Sequence, residues 1–76
     1  MSDELLRELQ AAVLNEQIQL READKDYRPN DFLPAIDAAR KSRPELFRRA
    51  CDEEPMIFRH ELEVAAWLAE QMSKPK

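Results

Sequence analysis

Apolar residues recur along this chain at helical spacing, and prolines punctuate the runs. With successive residues about 100° apart around a helix, Leu5, Leu6, Leu9, Ala12, Val13, Leu20 and Ala23 share one broad face of a segment spanning about 3–23. Ser2 is placed to cap this helix, and Asp3 and Glu4 stand at its positive end. The polar run from Asp24 to Asn30, with Pro29 inside it, predicts a connection. A second stripe, Phe32, Ala35, Ile36 and Ala39, predicts a helix over about 32–41. Asp31 or Asn30 would cap it, and Pro34 is tolerated in a first turn.

Ser42 and Glu45 have the spacing of a capping box, and Pro44 suits a first turn. A third helix is therefore expected over about 43–52, with Leu46, Phe47, Ala50 and Cys51 on its apolar side. Asp52, Glu53 and Glu54 followed by Pro55 signal the next start. The last helix is expected over about 55–72, with Ile57, Phe58, Leu62, Val64, Ala65, Leu68, Ala69 and Met72 facing inward, and 73–76 as a short tail. No segment alternates apolar and polar residues for long enough to make a strand, and no internal repeat is visible. The pattern predicts an all-α single domain over 1–76, a bundle in which two long helices flank two short ones.

Composition sharpens this picture. The chain has no glycine, which removes the phosphate-cradling loops, the dinucleotide fingerprint and the common two-residue hairpins. Ten alanines against two valines favour helix again. A chain of 76 residues buries only about 60% of its unfolded surface. Domains of this size lean on disulfides, a metal or a second chain. Cys51 is the single cysteine, and neither a CxxC nor a His/Cys cluster exists to hold zinc, so no metal or other cofactor is expected. Association remains, as a homodimer or with a permanent protein partner. The apolar fraction of 43% argues for an ordered chain. No apolar run approaches the roughly 18 residues of a membrane span, and acids occupy the start where a secretory leader would be positive. A cytoplasmic location is expected, which suits an unpaired thiol.

Catalytic constellations are scarce. His60 is the only histidine, so any triad or Cys/His scheme must use it; a partly exposed surface histidine is the expectation. Cys51 lies at helical spacing from Phe47 and reads as an inert, packed thiol. Asp24, Asp26, Asn30 and Asp31 faintly resemble a calcium loop, but Pro29 and Ala35 occupy the places of its required glycine and glutamate. Glu16 and Glu61 project toward apolar faces; each is expected to mark where a helix leaves the core or to pair with an arginine, with Arg48, Arg49 and Arg59 as candidates. An enzyme is not expected.

Two features exceed what a small bundle requires. The first helix carries a second apolar strip, Ala11, Leu14 and Ile18, nearly opposite its main face. Met56, His60 and Trp67 fall on one line of the expected last helix, and tryptophan and methionine are favoured at binding hot spots. Both are candidate protein interfaces. A basic cluster of Arg40, Lys41, Arg43, Arg48 and Arg49, against Glu45 alone, carries about +4 within a chain of net charge −4. It forms either a charged rim for a protein contact or, in an alternative reading, the phosphate-binding face of a helix-turn-helix-like unit over 31–53. The acidic flanks Asp37 and Asp52–Glu54, and a pI near 5.0, oppose the second reading. The expected function is a small stoichiometric regulator, an inhibitor, adaptor or antitoxin-like factor, acting through helix-mediated association.

Overall fold

A computed structural model describes residues 3–28 and 32–73. They contain four α-helices and no strand: α1 Asp3–Ala23, α2 Leu33–Ser42, α3 Pro44–Glu53 and α4 Glu61–Ser73. The expected caps Ser2, Asn30 and Asp31 lie outside the described residues, as do 74–76.

The prolines set the breaks. Pro44 disfavours helical backbone at the residue before it, and Arg43 sits at φ −133°, ψ 63°. Its N–H still donates to the Ala39 carbonyl at 2.7 Å, closing α2, and α3 begins at Pro44. Arg43 is thus the whole connection between the two short helices. The expected Ser42/Glu45 capping box is absent in consequence: Ser42 is the last residue of α2, and Arg43 stands at the cap with no side-chain cap bond.

Glu54 repeats the arrangement before Pro55, at φ −129°, ψ 57°, with its N–H on the Ala50 carbonyl at 3.1 Å. Here the chain does not enter a long helix. One turn follows, in which the Glu54 carbonyl accepts from Ile57 at 3.1 Å and Phe58 at 2.8 Å, and the backbone then bends at Arg59–His60. The Arg59 N–H donates to Glu63 Oε2 at 2.7 Å, so a carboxylate from the first turn of α4 holds the entry. The last helix therefore starts at Glu61 rather than near 55, and is only slightly longer than α2 and α3.

The core gathers Leu5, Leu9 and Val13 of α1, Ala35, Ile36 and Ala39 of α2, Leu46, Phe47 and Ala50 of α3, Phe58, and Val64 and Leu68 of α4. Steps of four residues along α1 line up a single buried ridge, which Gln17 continues. Three fully buried alanines in α2 and α3 let those helices sit close to their neighbours. The two short helices form the middle of the fold: α1 packs on both of them, and so does α4. The principal extents of the fold are 38, 27 and 19 Å. No buried side-chain polar atom among the described residues lacks a hydrogen-bond partner.

Candidate interaction surfaces

Because Leu5, Leu9, Val13 and Gln17 turn inward, residues about half a turn away on α1 must face out. Leu14 and Ile18 are 46% and 57% exposed, and Ala11 is exposed beside them. Leu14 and Ile18 stay open to solvent, whereas Ala11 also borders a depression that it shares with Ser42, Arg43 and Leu46. Arg7, Arg21 and Glu22 on the same helix are exposed as well.

The second expected strip does not exist as a line on one helix. Met56 lies in the turn after α3 and is 92% exposed, His60 precedes α4, and only Trp67 is helical. Trp67 is turned toward the core, its ring edge-on to Phe58. Three residues expected on inward faces are outside: Ala23, the last residue of α1, Ile57, in the turn, at 59% exposure, and Leu62 at 62%. With Val64 and Leu68 fixing the buried face of α4, Leu62 falls roughly 160° from Val64 on the wheel. It lines a shallow groove between α2 and α4 together with Leu33, Ile36, Ala65 and Ala66, with Asp37 and Arg40 on the rim. Leu33 is itself 59% exposed. Sequence reasoning missed Leu33 and Leu62 as surface residues; a correct start for α4 would have revealed Leu62.

The basic cluster is largely met by carboxylates. Asp37 takes Arg40 at 2.7 Å and Lys41 at 3.2 Å, and these two cations hold its pKa below the ordinary carboxylate value. Glu61 lies 3.9 Å from both Arg40 and Arg48, tying α4 to each short helix. Arg49 reaches Glu8 of α1 at 3.3 Å. Arg43 has no ion pair among the described residues. Of the two roles expected for Glu16, arginine pairing is not the one seen: half-buried at the edge of the core, it accepts a hydrogen bond from Ser42 Oγ at 3.1 Å.

A second depression, of about 520 Å³, brings Cys51 and His60 into one lining with Arg48, Asp52, Arg59, Glu61 and Leu62. It places a thiol and an imidazole on one surface. Partial burial raises the Cys51 pKa, and the carboxylates of Glu61, Asp52 and Glu63 raise it further. That environment favours thiol over thiolate and opposes a nucleophilic role. The imidazole Nε2 stands 3.9 Å from Glu63 Oε1. At the calcium-like loop, Asp24 Oδ1 accepts the Asp26 N–H at 2.9 Å and so serves a turn; Asn30 and Asp31 lie outside the described residues. No group of three or more metal-binding side chains occurs among the described residues. No helix there is long and apolar enough to cross a membrane. Comparison with protein family models, curated proteins and solved structures finds no match to this chain.

Proposed function

We propose that this protein is a small cytoplasmic interaction module acting stoichiometrically, as an inhibitor, adaptor or antitoxin-like regulator. The observation that carries the reading is exposed aliphatic surface on two separate faces, around Leu14 and Ile18 on α1 and around Leu33 and Leu62 between α2 and α4. Single exposed leucines are ordinary. Pairs of them on ordered helices, flanked by charge, suit an incoming amphipathic helix that lays apolar residues into the groove and polar ones along its rim. Asp37 and Arg40 would orient such a partner at the α2–α4 groove.

The nucleic-acid reading has less support. A helix-turn-helix unit needs a turn of three or four residues, whereas α2 and α3 share one connecting residue. Four of the five clustered cations already neighbour carboxylates.

The test is affinity capture on the immobilised chain from its native cell extract, followed by titration of the purified candidate. A saturable, equimolar complex lost in a Leu33→Glu/Leu62→Glu variant supports the reading. Capture by neither chain contradicts it, as does capture undiminished both in that variant and in a Leu14→Glu/Ile18→Glu variant. A salt-dependent gel shift with random duplex, abolished by Arg48→Ala/Arg49→Ala, would transfer support to nucleic-acid binding.

A further inference from the structure

The outer face of α1 has a symmetry that specifies its occupant. Arg7, Ala11, Leu14, Ile18 and Arg21 follow one another at spacings of four, three, four and three residues, the pattern of a helix–helix seam. All five are exposed. The apolar members are central and the charged ones terminal. The charges come as two like dipeptides, Arg7-Glu8 and Arg21-Glu22, placed evenly about Leu14-Asn15: Arg7 lies seven residues before Leu14, and Glu22 seven after Asn15.

We infer that this face pairs with a second copy of itself, in antiparallel orientation, about a two-fold axis near Leu14-Asn15. The inference rests on the reading of the α1 face as an association surface and names what occupies it. In a two-fold interface, residue i meets j and j meets i. Running the copies antiparallel sets Arg7 of one opposite Glu22 of the other, and Glu8 opposite Arg21, with each contact made twice. Leu14 and Ile18 of the two chains share the middle. Parallel copies would instead bring each arginine level with its own counterpart and each glutamate likewise, which is repulsive. Glu8 holds Arg49 of its own chain through Oε2 at 3.3 Å, leaving Oε1 for the second copy. The α2–α4 groove is built from other helices, so a dimer joined through α1 carries two copies of it.

Sedimentation equilibrium on the full chain, from micromolar to millimolar concentration, tests this. The wild-type chain should form a reversible dimer, and Ile18→Glu and Leu14→Glu should each weaken it by at least about tenfold, a change of roughly 1.4 kcal/mol. Both sites are surface positions, so circular dichroism should show unchanged helix content. Arg7→Glu/Arg21→Glu and Glu8→Arg/Glu22→Arg chains should each be monomeric alone and should dimerise when mixed. For orientation, in a Cys51→Ser background with added oxidant, an Arg7→Cys chain should cross-link to a Glu22→Cys chain and not to itself. A wild-type chain that stays monomeric, a dimer indifferent to Leu14 and Ile18, charge-reversed chains that fail to recombine, or self-linking of Arg7→Cys would each overturn the inference. A monomer that still captures an equimolar partner through Leu33 and Leu62 would refute self-pairing while leaving the proposed function intact. A dimer that captures nothing would do the reverse.

Discussion

The ring of Trp67 meets that of Phe58 edge-on, with centroids 5.2 Å apart and planes inclined at 69°. Phe58 belongs to no helix; it is buried because the chain leaves α3 at Pro55, makes one turn and drops this side chain beneath α4. The pair therefore anchors the irregular segment 54–60 to the bundle. Phe58→Ala should cost about 3–5 kcal/mol, the range for emptying a buried aromatic site. Ile57→Ala, one residue earlier and exposed, should stay within about 0.5 kcal/mol. Urea unfolding followed by the fluorescence of Trp67, the only tryptophan, measures both. Equal losses at the two positions would contradict this anchoring.

The boundary of α4 marks where the sequence stopped being readable. Periodicity identified α1, α2 and α3 to within a residue or two, because each has an inward row at steps of three and four ended by a proline or a polar run. At Pro55 the same logic fails. Acids followed by proline open a helix when the following residues can continue it, and here Phe58 is drawn inward by the tertiary packing of Trp67, out of phase with Val64 and Leu68. Nothing local announces that. The phase error then moved Ile57 and Leu62 to the inside, and joined Met56, His60 and Trp67 into a strip. The α1 strip suffered no such error: once Leu5, Leu9 and Val13 define the buried side of one unbroken helix, the exposure of Leu14 follows from geometry alone. Ion pairs between helices, such as Arg49 with Glu8, depend on crossings that a one-dimensional pattern does not contain.

Leu62 and Leu68 offer a direct check of that phase. Both are leucines of one helix, one exposed at 62% and the other fully buried. Leu68→Ala should lose about 2–5 kcal/mol through lost contacts and the cavity left behind. Leu62→Gln should change stability by no more than about 0.5 kcal/mol. Thermal melts of the two variants would expose a helix rotated from the one described, since the larger loss would then fall on Leu62.

Glu61 stands between Arg40 and Arg48, at 3.9 Å from each, with about a third of its side chain open to solvent. Such a long, wet contact is weak despite involving three helices. Glu61→Gln should cost below about 1 kcal/mol. The loss should shrink as salt is raised, because the surrounding ions already screen these charges. Urea midpoints at low and high ionic strength give the comparison. A loss of several kcal/mol, or one that ignores salt, would mean that Glu61 is far more deeply engaged than its exposure implies.

Cys51 turns the electrostatics of that same region into a reactivity. Burial is the main cause of its raised pKa, followed by the negative charge of Glu61, Asp52 and Glu63. Iodoacetamide attacks thiolate, so alkylation of the folded chain should rise at higher pH than alkylation of the urea-unfolded chain. Glu61→Gln should move the folded profile back toward the unfolded one without abolishing the difference, since burial remains. The same shift fixes a stability trend. A thiol whose pKa is higher folded than unfolded favours the native state below the unfolded pKa. That contribution is lost as pH climbs from there toward the folded value. Cys51→Ala should therefore flatten the alkaline limb of the stability curve. Alkylation of native protein at a lower pH than the unfolded chain would instead reveal an activated thiolate, and would reopen the case for chemistry between Cys51 and His60.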